Sequence, residues 1–160
     1  MKPLGLAPVL FALGCSGPPG AMRADLQAYL GRMKSWAPVE AETERTIERI
    51  LRTQFVDEAE VRRQIRDDRP RALVHLERVR AYAPRSKDVQ HIHARYVSAW
   101  EDLLGGYDAI EQGFTSGDYT KLARGREAME KWGVGIADVA RQLRDLMQHL
   151  GVEPGGAVES

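Results

Sequence analysis

The sequence predicts an all-α protein, an antiparallel bundle of about four helices with an additional short N-terminal helical segment. Three observations predict it. Val89, His93, Tyr96, Trp100, Leu103, Tyr107, Ile110 and Phe114 recur alternately three and four apart, the spacing that stacks side chains on one helix face. Leu122, Met129, Trp132, Ile136, Val139, Leu143, Leu146 and Leu150 keep the same rhythm. Between the two runs, Thr115-Ser116-Gly117 reads as a tight helix–helix loop. Helices of roughly 28 and 32 residues would each be over ~40 Å long, and so short a loop between them forces an antiparallel pair. No stretch alternates as a strand would, and no internal repeat is present.

The elements follow in order. Ala21–Trp36 predicts a short helix with Leu26, Tyr29, Leu30 and Met33 on its apolar face, ended by Pro38. A longer helix is expected from about Val39 to Asp67, its inner face marked by Ile47, Leu51, Gln54, Phe55, Val61 and Ile65. Pro70 kinks this helix or starts the next. The next helix carries Ala72, Leu76, Val79 and Ala83, and Pro84 ends it. Ser86 is placed to cap the first long-striped helix, and Thr115, Ser116 or Asp118 to cap the second. Gly125 lies on the second stripe, which points to a close helix approach. Gly133 and Gly135 permit a bend near Trp132. The expected bundle domain spans 22–150, and 151–160 has too few large residues to pack and reads as a disordered tail.

A length of 160 residues suits one domain able to bury a core without disulfides. With 23 basic and 23 acidic residues, net charge gives no electrostatic reason to expect a nucleic-acid partner. The single cysteine excludes an intramolecular disulfide and a four-thiolate metal site. The charges are unevenly placed. Seven acids against three bases occupy 39–61, and nine bases against three acids occupy 62–87. Helical geometry spreads the second group around the surface as a solvated face, which leaves open contact with lipid headgroups, cell-wall polymer or an acidic partner.

The N-terminus reads separately. Lys2 precedes an apolar run containing Leu4, Leu6, Val9, Leu10, Phe11 and Leu13, which stops at Ala12-Leu13-Gly14-Cys15. With a charged start, an apolar middle and a small residue before the cysteine, Met1–Cys15 resembles a bacterial lipoprotein signal peptide. The resemblance implies cleavage before Cys15, a diacylglycerol on its thiol and an acyl chain such as palmitate on its amine. Ser16 then implies the outer membrane, with the body facing the periplasm. Residues 1–14 are the expected leader and 15–21, containing Ser-Gly-Pro-Pro-Gly, the expected flexible tether.

No catalytic constellation is present in the sequence. No Gly-x-Ser-x-Gly, phosphate loop or Glu-x-x-His pair occurs, and a c-type haem needs a second cysteine. His91 and His93, two apart, point to opposite sides of a helix. His93, Tyr96 and Trp100 are the candidate binding residues, because Tyr and Trp line interhelical grooves while presenting polar tips. The same spacing equally suits plain core. The expectation is a non-enzymatic, lipid-anchored envelope module with a protein partner, no metal and no cofactor. The alternative is a periplasmic small-ligand or metal-binding bundle.

Overall fold

The computed structural model describes residues 19–153, and among them every regular element is a helix. The order is α1 (Pro19–Arg52), α2 (Glu58–Arg80), α3 (Lys87–Ser116) and α4 (Tyr119–Leu150). Each helix packs on its sequence neighbours, α1 also meets α4, and α3 and α4 pack far more closely than any other pair. This is the expected antiparallel four-helix bundle.

The helix boundaries differ from the expectation in its first half. There is no separate N-terminal segment, because α1 runs straight through Pro38. Residues 19–21, expected in the tether, form its first turn. Likewise α2 runs through Pro70. A proline inside a helix forfeits a hydrogen bond at a cost of ~3 kcal/mol. Both prolines are solvent-exposed, so water can take the freed carbonyl, while the opposite faces bury large side chains. In α1 these are Leu26, Tyr29, Trp36, Ile47 and Ile50. Burying each contributes about 1.5–3 kcal/mol, so packing overrides the local breaker.

The true break falls at 53–57, inside the helix expected over 39–67. Gln54 and Phe55 take left-handed conformations, with φ of 49° and 60°. Thr53 Oγ1 donates to the Ile50 carbonyl at 2.7 Å and accepts from the Phe55 amide at 3.2 Å, closing α1. Asp57 then caps α2, its carboxylate accepting from the Glu60 amide at 3.0 Å. The turn holds because Phe55 packs near the Phe114 ring, 6.4 Å between centroids. Gln54 is exposed and serves only the backbone. The left-handed region costs a non-glycine residue ~1–2 kcal/mol. Gln54→Gly is therefore expected to stabilise the bundle by about 0.5–1 kcal/mol, read as a higher urea midpoint.

The second half matches the stripes closely. Val89 through Ile110 of the first stripe are buried, with Phe114 half-buried. Gly117, at φ 66°, and Asp118 join the pair, and Asp118 caps α4 through the Thr120 amide at 2.9 Å. Ser86 sits at the cap position of α3, but its hydroxyl donates to Asp25 instead. Gly125 is the closest approach in the molecule's tightest helix pair. A Cβ there would lie 2.3 Å from Ile110 Cγ1 and 2.7 Å from the Gly106 carbonyl oxygen. The expected bend at Gly133 and Gly135 does not interrupt α4, which is one continuous helix.

The start of the expected tail is packed. Gly151 adopts φ 60°, and the Val152 amide donates to the Met147 carbonyl at 2.9 Å. Val152 is buried, completing a hydrophobic helix-end motif. The Arg23 guanidinium donates to the Leu150 carbonyl at 3.1 and 2.6 Å, tying the start of α1 to the end of α4.

Candidate functional site

The three candidate binding residues come together in an aromatic–histidine core. A spacing of seven puts Tyr29 and Trp36 on one face of α1, while His75 lies on the inner face of α2 and Tyr82 two residues beyond its end. These faces meet His93, Tyr96 and Trp100 of α3. Trp36 stacks on Tyr96 at 5.6 Å with ring planes 10° apart. His75 lies 4.3 Å from Trp100, and Trp132 of α4 meets Trp100 edge-on at 5.3 Å. Tyr29 meets His93 edge-on, and their polar atoms, Tyr29 Oη and His93 Nδ1, are 3.3 Å apart. Tyr96 and Trp100 are fully buried and His93 is 8% exposed. The indole N–H groups of Trp100 and Trp132 have no acceptor among the described residues.

A hydrogen-bonded chain leads out of this core. The Tyr96 hydroxyl donates to the half-buried Glu40 carboxylate. His75 Nε2 lies 2.9 Å from the same hydroxyl oxygen. With Glu40 ionised, the tyrosine proton is committed, so His75 Nε2 carries the hydrogen and donates. Burial pushes Glu40 above the usual carboxylate range, the Tyr96 hydrogen bond pulls the other way, and the Glu44 charge adds to the rise. Burial makes Tyr96 hard to ionise, reinforced by the Glu40 charge.

Burial, assisted by the Arg78 charge, lowers the His75 pKa to about 4. Burial also lowers His93, against the pull of the neighbouring Tyr82 and Val79 backbone. An unfolded histidine titrates near ~6.5, so below that pH the unfolded chain takes up a proton that the folded core refuses. The stability due to neutral His75 is therefore complete above pH ~6.5 and lost as pH falls towards 4, by about 3 kcal/mol. Urea midpoints at pH 7 and 4.5 are expected to show this fall, and His75→Gln to reduce it.

Two further polar contacts set helix register. Asp68, fully buried on α2, accepts from Tyr107 Oη of α3 at 2.8 Å and from Thr43 Oγ1 of α1 at 3.2 Å. Arg71 pairs with it at 3.1 Å. Burial raises the Asp68 pKa, opposed chiefly by the Tyr107 hydrogen bond. Asp25 of α1 accepts from the Ser86 amide and hydroxyl, each at 2.8 Å, and from the Arg85 amide at 3.1 Å. Burial pushes Asp25 up, but these donors win and hold it below the usual range.

The basic run of α2 is largely consumed in ion pairs. Arg62 pairs with Glu58 and Glu111, Arg69 with Asp108 and Arg80 with Glu101. These are pairs on or near the surface, worth about 1 kcal/mol or less each. The charge asymmetry read along the chain is thus mostly cancelled across helices. Among the described residues, no group of three or more His, Cys, Asp or Glu could hold a metal. Cys15 lies outside the described residues.

The surface opens between α1 and the C-terminal end of α4. A groove of about 590 Å³ is lined by Leu30, Met33, Ala37 and Met147, with Glu40 on its wall and Lys34 and Glu153 also along it. Glu40 therefore connects this groove to Tyr96 and His75. Glu40, Trp36 and His75 join this core only across helices, so nothing in the linear sequence marks them as members of one assembly, and the same holds for the separate Asp68–Tyr107–Thr43 network. A detectable signal was present at Asp57-x-x-Glu60, an N-capping pattern that marks the true start of α2. Comparison with protein-family models, curated proteins and solved structures finds no match.

Proposed function

We propose that this protein is a lipid-anchored, non-enzymatic module of the cell envelope that makes protein contacts from the periplasmic side of the outer membrane. The observation that carries the reading is the position of the folded body relative to Cys15. Helix α1 begins at Pro19, four residues further along. Four residues span at most ~14 Å however they are arranged. An acylated Cys15 would hold the end formed by the α1 N-terminus, the 81–86 connection and the α4 C-terminus against the bilayer. Each buried methylene of the acyl chains contributes ~0.8 kcal/mol to that attachment. The body itself has a filled core whose polar groups mostly bond to each other, which suits a scaffold.

Mass spectrometry of the native N-terminus tests the anchor. The expected species starts at Cys15 and carries the acyl mass, and Cys15→Ala abolishes both processing and membrane recovery. An intact chain starting at Met1 and soluble in cells overturns the anchor. A second reading, a small-ligand-binding bundle, is favoured by the α1–α4 groove with Glu40 on its wall.

A further inference from the structure

We propose that the α1–α4 groove binds an amphiphilic cation, an apolar body carrying an ammonium group, with Glu40 as the counter-ion. The proposal deepens the ligand-binding reading and stands independently of the lipid anchor. The groove follows α1 from Gln27 to Glu40, a rise of ~20 Å. Its walls are apolar through Leu30, Met33, Ala37, Met147 and Val152. Such a surface takes an elongated apolar body.

Charge decides which amphiphile. One Glu40 oxygen accepts from Tyr96, and the other has no hydrogen-bond partner among the described residues. Glu40 also makes no ion pair there, unlike Glu42, Glu48 and Glu58. Half-buried without a cation, it carries the cost of partial desolvation. An ammonium arriving with an apolar body would supply the missing partner in a site where solvent screens it less than at the open surface. Lys34 is on the groove but forms no ion pair with Glu40. Tyr96, locked by stacking on Trp36 and by His75, holds the carboxylate in place.

Calorimetric titration of the full chain with decyltrimethylammonium below its micelle concentration tests this. One ion is expected to bind per chain, more tightly than decyl sulfate, which has the same tail and the opposite charge. Glu40→Gln keeps a carbonyl to accept from Tyr96 but removes the charge, and is expected to weaken the cation at least tenfold. Gly31→Trp supplies a variant that does not touch the core. Gly31 lines the groove, and a Cβ there meets nothing within 4 Å. It is expected to fold normally and to block binding. Absence of binding, equal affinity for the anionic amphiphile, or undiminished binding in a folded Glu40→Gln or Gly31→Trp protein each overturns the proposal.

Discussion

Asp68→Ala is expected to destabilise the bundle by about 3–5 kcal/mol, the largest loss for removing a single polar group. The carboxylate joins three helices. Its removal strands the buried Tyr107 hydroxyl, the buried Thr43 hydroxyl and one side of Arg71, whose Nε already lacks a partner among the described residues. Each stranded group costs its desolvation, ~1–3 kcal/mol, and alanine also leaves a void. Asp68→Asn separates hydrogen bonding from charge. Its amide oxygen still accepts from Tyr107 and Thr43, and Arg71 keeps its 3.5 Å contact with Glu42. It should therefore lose less than half as much. Urea unfolding of the two variants checks this. A loss below about 1 kcal/mol for Asp68→Ala would mean that the network adds little beyond what water provides.

Gly125→Leu is expected to cost about 4 kcal/mol or more, because it attacks the contact between α3 and α4. Even the first carbon of a side chain would sit 2.3 Å from Ile110 Cγ1 and 2.7 Å from the Gly106 carbonyl oxygen. Ile110 can change rotamer, but a backbone carbonyl moves only with its helix. Gly125→Ala pits a gain in helix propensity of ~1 kcal/mol against overpacking of ~1–3 kcal/mol, so it too should destabilise. Gly133 is the control on the same helix. A Cβ there meets nothing within 4 Å, and the position is exposed. Gly133→Ala should therefore stabilise by about 1 kcal/mol. Thermal melts of the three variants would give opposite signs for two glycines eight residues apart. The same sign at both positions would refute a close-packed crossing at Gly125.

The polar contacts also explain why this core has one arrangement. Apolar faces of similar size can slide past one another by a turn at modest cost. Asp68 with Tyr107 and Thr43, Asp25 with Ser86, and Arg23 with the Leu150 carbonyl each work in one register only. They lie at different heights along α1, near its start and past its middle. A shift of one turn would break all of them together.

The sequence by itself determined the helical class, the α3–α4 hairpin and the close approach at Gly125. Those features rest on local periodicity and on one short connection, which a linear reading contains in full. It also contained Asp57 and Glu60, although the apolar residues on either side concealed the break they mark. Only the tertiary structure decided that α1 and α2 run through Pro38 and Pro70, since the energy that overrides a proline comes from side chains contributed by other helices. The same holds for the site. His93, Tyr96 and Trp100 were legible as a stripe on one helix, while Glu40, Trp36 and His75 join them from two other helices. Hydrogen bonds and ring contacts between residues 21 to 60 positions apart leave no periodic trace, so the way out of the core through Glu40 exists only once the helices are packed.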